Sequence, residues 1–308
     1  MGKAVAIAVG GGLASAACFL SAVTGSAAAL VLAYLSALPL FLVGLSMGTP
    51  LAALGAAVGA VGVALAAGLL ASLGYAAGTA VPVAVTIARA LSSRPDEAGR
   101  PGWAPPGAVL IALIGYGLAV YAVIVALVLQ SGQGLPEILA ERLRPGLPVP
   151  MADMVDLYAR FIPGTALASW VLMLLVNLTL AQAILTRRGQ ALRPAPRLAE
   201  LELPDWAAGA FALALVAAVA SSSLLGDLGA TVALVLGVAY FLAGLGVVHA
   251  ATRGRPRRGL MLVLFYGVLL LFGWAAFLVA GLGVIDQWAG LRRRLAASSG
   301  GAGPDPKE

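Results

Sequence analysis

Residues able to do chemistry are few in this chain, and most stand alone. Asp227 is the only acid between Trp206 and Asp286, His249 the only histidine and Cys18 the only cysteine. A lone carboxylate in an apolar region can serve as a proton or cation site. Gly226, Leu228 and Gly229 around Asp227 also spell a tight turn with Asp capping the next helix, and the turn is the preferred reading. His249 adjoins an arginine loop without a companion ligand or nucleophile, so it reads as an interfacial residue before a metal ligand or a base. A single cysteine permits neither an intrachain disulfide nor a multi-cysteine metal site. Gly10-Gly11-Gly12 lacks the preceding strand and the following Lys of a phosphate loop. With no nucleophile and base arrangement and no metal-spaced cluster in the sequence, the expectation is no enzyme, no ATPase within the chain, no cofactor and no metal.

What remains is binding and packing. Asn177 and Gln182 lie in an apolar run where a polar group needs a partner; they either bond a neighbouring helix or line a cavity with Tyr116, Tyr121 or Tyr240. Gly44 with Gly48, Gly55 with Gly59, and Gly74 with Gly78 are small pairs four apart, the spacing that lets helix backbones approach closely in lipid. Such pairs serve internal packing first and a docking face for a partner second. Pro39 and Pro82 interrupt helix hydrogen bonds at membrane depth, which marks a packed kink or, less often, a binding cavity. Pro39, Gly44, Gly48, Gly55, Gly59, Asn177 and Gln182 are therefore the candidate substrate or packing residues.

The elements that carry these residues follow from charge. Between Lys3 and Arg89 there is no Asp, Glu, Lys, Arg or His. A soluble domain with so long an uncharged segment would expose an aggregating apolar surface, whereas a helix crossing the hydrocarbon core needs about 20 apolar residues. With 61% hydrophobic and 10% charged residues, nearly all 308 residues belong in or near lipid as one all-α, polytopic transmembrane helical bundle. The runs are apolar throughout rather than alternating, which disfavours a membrane β-barrel. Breaks at Gly, Pro, Ser and charged positions give about eight or nine spans, near 4–22, 27–45, 51–73, 76–91, 107–129, 162–185, 207–225, 228–248 and 260–284, within a single membrane domain over 1–297. An outer loop covers 130–161, an interfacial helix 285–296, and a Gly-, Ser- and Pro-rich tail, 298–308, is expected to be disordered. The first span reads as a retained helix and not a cleaved signal.

Net charge is +6, but the basic residues cluster beside apolar spans, which is topology control rather than a nucleic-acid surface. Basic loops stay in the cytoplasm, so the N-terminus and the loops at 89–100, 187–197 and 253–258 are expected inside a bacterial inner membrane. Nine crossings would export Arg292, Arg293 and Arg294: either one Gly-rich segment of the first run fails to cross or the last span is followed by an exported basic helix, and of the two the C-terminus is placed in the cytoplasm, with the count left at eight or nine. In the last helix Ile285, Trp288, Leu291 and Leu295 share one face, so Trp288 sits at the bilayer interface and Arg292, Arg293 and Arg294 reach lipid phosphates.

The run from Leu35 to Gly48, the stretch Leu203-Pro204-Asp205-Trp206, and the stretch Leu282-Gly283-Val284-Ile285-Asp286-Gln287-Trp288 closing with Arg292 to Arg294 together resemble an uncharacterised bacterial multi-pass membrane protein family of the YybS-like type (DUF2232). That family is distantly similar to the substrate-binding components of energy-coupling-factor vitamin transporters. There a Pro-containing early helix leads to a Gly-rich one, small-residue faces dock a coupling subunit, and the substrate sits on the outer side. The resemblance implies a small-molecule-binding transporter component without its own ATPase, its partners being the lipid bilayer, a membrane or ATPase subunit and a solute. The alternative is a non-catalytic membrane scaffold that organises a complex through its Gly faces and basic loops; crosslinking separates them by the presence or absence of a bound solute.

The connection from Gln133 to Arg160 carries four acids (Glu137, Glu141, Asp153 and Asp156) against three arginines (Arg142, Arg144 and Arg160), while the flanking connections are basic. A reporter fused near Gly146 should therefore behave as exported, and strong cytoplasmic-reporter activity there would overturn the topology.

Overall fold

The computed structural model describes residues 2–95, 101–146, 148 and 154–300. Apart from one short hairpin, its regular structure is helical: α1 Gly2–Leu20, α2 Ala27–Tyr34, α3 Leu38–Met47, α4 Thr49–Tyr75, α5 Val81–Ala90, α6 Pro106–Leu129, α7 Leu135–Leu143, α8 Val155–Ala159, α9 Ile162–Arg187, α10 Trp206–Ala220, α11 Leu224–Ala251, α12 Arg258–Leu271, α13 Ala275–Ala289 and α14 Leu291–Gly300. The hairpin pairs Ser93–Pro95 with Pro101–Trp103 antiparallel inside the first charged loop. Among the described residues six helical stretches are long and apolar enough to cross a membrane, and α10, α12 and α13 are shorter apolar helices. This is an all-α polytopic membrane protein. Where a single domain over 1–297 is expected, two compact units form: Met1–Ala104 with Ala112–Ile124 and Ser169–Ala195, and Pro105–Ile111 with Val125–Ala168 and Pro196–Glu308.

In the first unit three interruptions set the architecture. The span expected over 27–45 is one membrane-crossing stretch, Ala27–Met47, broken inside into α2 and α3 at 35–37. Pro39 causes this, because it lacks an N–H and its ring clashes with the carbonyl four residues back; it sits in the first turn of α3, where the missing donor costs nothing. Gly48 is a corner rather than a packing residue: it caps α3 at φ 95°, a conformation that favours glycine, and Pro50 opens α4.

The third interruption is Gly68, at φ 84° and ψ 172° inside α4. The Ser72 hydroxyl donates to the Ala60 carbonyl at 2.8 Å, yet residues 12 apart in a straight helix are separated by about 18 Å. The chain therefore reverses at Gly68, and 49–90 is a helical hairpin whose turn lies earlier than the Gly74-Tyr75 expected from the sequence. Gly74 and Gly78 face open space and pack nothing.

Close packing falls instead on Gly12, Gly55 and Gly59. A Cβ on Gly12 would overlap the Gly55 carbonyl, one on Gly55 would press the Ala8 carbonyl, and one on Gly59 would meet the Tyr75 hydroxyl, so α1 lies directly against the first arm of the hairpin. Gly44 leaves room for the Ile87 side chain. In the second unit α11 is the central helix: Gly229 meets α10 at Ala214 and Ala218, Gly244 meets the Val279 carbonyl of α13, and Gly283 of α13 meets the Tyr240 carbonyl.

The expected corner at Gly226-Asp227 lies instead at Ser221–Ser223, and α11 begins at Leu224. Gly226 is used for a close approach to the Ser221 carbonyl. Asp227, in the first turn of α11, faces the Arg160 guanidinium at 3.7 Å, and Arg160 also donates to the carbonyls of Ala218 (3.0 Å) and Ser221 (3.3 Å). The apolar segment expected over 260–284 is two helices, α12 and α13, parted at 272–274. The expected interfacial helix over 285–296 is likewise divided, because Gly290 adopts φ 59° between α13 and α14. Of the tail, 298–300 end α14 and 301–308 lie outside the described residues, as do Met151 and Asp153 of the outer loop.

Replacing Gly55 with Val should destabilise the protein by about 1–3 kcal/mol, the usual cost of overpacking, whereas Gly74→Ala should be neutral or slightly stabilising. Thermal unfolding of the two variants in one detergent checks this; equal melting temperatures would refute the close contact.

Candidate functional site

Polar residues that the sequence presents as loose ends converge in the second unit. Glu202, Leu203 and Asp205 precede α10, Tyr240 and Ala243 lie in the middle of α11, and Gly283, Asp286, Gln287, Gly290, Arg292 and Arg293 come from the end of α13 and the start of α14. Together they line a pocket of about 140 Å³. The stretches Leu203-Pro204-Asp205-Trp206 and Leu282 to Trp288, which carry the family resemblance separately, thus meet in space.

An ion pair frames one wall. Asp286 is buried in the last turns of α13, and its carboxylate accepts from the Arg292 side chain at 2.6 Å and from the Arg292 backbone N–H at 2.9 Å. The chain can return so sharply because Gly290 takes the left-handed conformation that favours glycine. Arg292 then donates to the carbonyls of Ala199 (3.1 Å) and Leu201 (2.7 Å), in the short turn before α10. Expected to reach lipid phosphates, Arg292 is instead drawn inward by a buried carboxylate that no other cation among the described residues neutralises. Arg293, Arg294 and Trp288 are exposed.

The opposite wall is a chain of neutral hydrogen bonds. The Tyr240 hydroxyl donates to Gln287 Oε1 at 2.7 Å, and Gln287 Nε2 donates to the Pro204 carbonyl at 2.9 Å. Gln287 therefore fixes the loop before α10 against α11, with Phe211 and Tyr240 packing their rings 5.1 Å apart beneath it. Asp286, Arg292, Tyr240 and Gln287 spend their groups on one another. The charged side chains left toward the opening are Glu202, Asp205 and Arg293, and neither carboxylate has an ion-pair partner among the described residues.

The expected candidates of the first unit have structural partners. Asn177 is buried on α9 and donates to the carbonyls of Tyr34 and Met173, both at 2.8 Å, so it supports the break after α2 that Pro39 imposes. Gln182 donates to the Arg193 carbonyl (3.0 Å) and to Thr186 (3.3 Å). Arg193 is buried, and its guanidinium donates to the carbonyls of Ala90 (2.7 Å) and Ala104 (3.4 Å), with burial pulling its pKa below the usual arginine range. Tyr116 donates to the Ala77 carbonyl (2.9 Å) and Trp170 to that of Gly78 (2.8 Å). These carbonyls lie five and four residues before Pro82, which has no N–H to offer either of them. Asn177 and Tyr34 are thus brought together at a packed break rather than in a cavity. Tyr121 is buried, and His249 shares a hydrogen bond with the Tyr266 hydroxyl at 2.9 Å. Among the described residues no group of His, Cys, Asp and Glu is placed to hold a metal ion.

Sequence reasoning missed Glu202, Asp205, Tyr240 and Gln287 as one site. The available signal was polar residues at segment ends: Asp205 and Gln287 lie within the quoted stretches and Glu202 one residue before the first, whereas Tyr240, in the middle of α11, was expected beside Asn177 and Gln182. With this geometry in view, residues 147–287 match a family model described as a predicted membrane protein, DUF2232, less than half of the chain but in support of the expected family. No curated protein and no solved structure matches the chain.

Breaking the buried pair should be costly and losing it whole should not. Asp286→Leu and Arg292→Met should each lower stability by roughly 3–5 kcal/mol, and the double variant combining the two should recover most of that. Unfolding of the purified variants measures both; additive losses would refute the pairing.

Proposed function

We propose that this multi-pass membrane protein binds a small polar solute carrying a basic nitrogen, as a solute-binding component of a membrane transport system that draws its energy from another subunit. One observation carries the reading: the pocket of about 140 Å³ whose wall groups are already paired and whose opening carries the carboxylates of Glu202 and Asp205 beside Arg293. Two unpaired acids and one base favour an amine, with room for an anionic group on Arg293. The pocket is smaller than sites for drug-sized ligands, roughly 300–1,000 Å³, so the solute is small.

The resemblance to energy-coupling-factor components lends a class of function but a different location. Their substrate lies on the outer side, whereas this pocket borders the connection before α10, which the basic-loop rule assigns to the cytoplasm. The pocket, and not the resemblance, therefore supports the reading. The scaffold alternative rests on Gly faces and basic loops; of these, Gly55 and Gly59 are filled by α1 and Tyr75, which leaves the basic loops as its support.

A thermal-shift screen of the purified protein against small amines, amino acids and vitamins tests the proposal. A ligand at a hundred times its Kd stabilises by about 2.7 kcal/mol, so at least one amine should raise the melting temperature by a few degrees. Glu202→Gln with Asp205→Asn should abolish that rise without changing the unliganded value. No response to any amine, together with a stoichiometric protein partner recovered without solute, would favour the scaffold.

A further inference from the structure

A second recess belongs to the first unit and plays no part in the pocket above. It is an open groove of about 610 Å³ where α1 and α3 meet the end of α9. Ile7, Val43, Met47 and Ile184 are among the side chains that wall it, and Arg188 and Gln190 stand at its rim. An apolar trough ending in a guanidinium matches an amphiphile with an acyl chain and an anionic head.

The rim is built by the backbone. After α9, the Gly189 N–H donates to the Thr186 carbonyl (3.2 Å) and the Gln190 N–H to the Leu185 carbonyl (2.9 Å), with Gly189 at φ 65°. That is the Schellman arrangement, which ends a helix in a fixed shape. Two residues on, the Leu192 N–H donates to the Leu45 carbonyl at 2.9 Å, tying the segment to α3. Arg188 and Gln190 are therefore held at the mouth of the trough by a rigid turn and not by a free loop. The Arg188 side chain is exposed and has no carboxylate partner among the described residues.

Chemistry and leaflet agree on the occupant. The basic connection after α9 is the kind retained in the cytoplasm, and the cytoplasmic leaflet carries the anionic lipids that attract basic residues near the surface. Arginine presents a planar fork of donors that suits a phosphate, and it favours a head of net negative charge over a zwitterionic one, whose phosphate is already offset by its own ammonium. We propose that the groove is a binding site for one anionic phospholipid, its phosphate on Arg188 with Gln190 beside it and an acyl chain along Ile7, Val43, Met47 and Ile184.

Native mass spectrometry of the detergent-purified chain, incubated with phosphatidylglycerol or with phosphatidylcholine of the same acyl chains, reads the site directly. One phosphatidylglycerol should be retained at least tenfold more strongly than phosphatidylcholine. Arg188→Gln, at an exposed position where folding is not at stake, should reduce that retention at least fivefold. Arg187→Gln, one residue earlier and outside the groove, should leave it unchanged. Ile184→Trp, which fills the trough, should also release the lipid. Equal retention of the two lipids, equal loss from Arg187→Gln and Arg188→Gln, or full retention by Ile184→Trp would each overturn the proposal.

Discussion

In hydrocarbon there is no water to satisfy a backbone group, so every interruption of a helix must be repaired by another part of the same protein. Several polar side chains of the first unit answer that demand. The break before Pro39 is met by Asn177 at the Tyr34 carbonyl and by Ser15 at the Ser36 carbonyl, the latter at 2.6 Å. The carbonyls that Pro82 cannot serve are met by Tyr116 and Trp170, whose rings stack 6.2 Å apart. Ser15 also shares a hydrogen bond with the Tyr75 hydroxyl at 2.8 Å, joining α1 to the second arm of the hairpin. The prolines and the polar residues are halves of one design, because removing either half leaves orphaned groups in lipid.

Close approach is the second half of the same economy. Helices in lipid gain nothing from burying apolar surface against each other and must gain it from contact. In α1, α4, α11 and α13 the contact is backbone on backbone, permitted by Gly12, Gly55, Gly244 and Gly283. These short distances also bring side chains such as Tyr75 and Tyr240 within reach of their hydrogen-bond partners. The polar pocket of the second unit inherits its shape from that crossing, since Tyr240 reaches Gln287 across the interval where Gly283 and Gly244 meet the opposing backbone.

The membrane class was written in the charge-free run after Lys3, and the helical identity of nearly every segment in its apolar length. Boundaries were less legible, for reasons that differ by site. Pro39 announced a break, because proline acts through its own ring. Gly68 announced nothing: among 39 glycines, the one that reverses the chain is distinguished only by what its neighbours across the hairpin require. Gly226-Asp227 had the composition of a turn, but tertiary contacts claimed both residues, the glycine for the Ser221 carbonyl and the aspartate for Arg160. Arg292 was misjudged for a related reason. Helical periodicity aimed it outward, and a single left-handed residue at Gly290 redirected it onto Asp286.

That redirected arginine has a consequence in time. Residues 198–201 leave the ribosome before Arg292, yet among the described residues the carbonyls of Ala199 and Leu201 find their side-chain donor in Arg292. Until the final helices are synthesised, the turn before α10 holds open acceptors and Asp286 has no counter-ion, so the nascent second unit is incomplete however well its earlier helices have inserted. A chain lacking α14 would carry a naked carboxylate inside its helix packing.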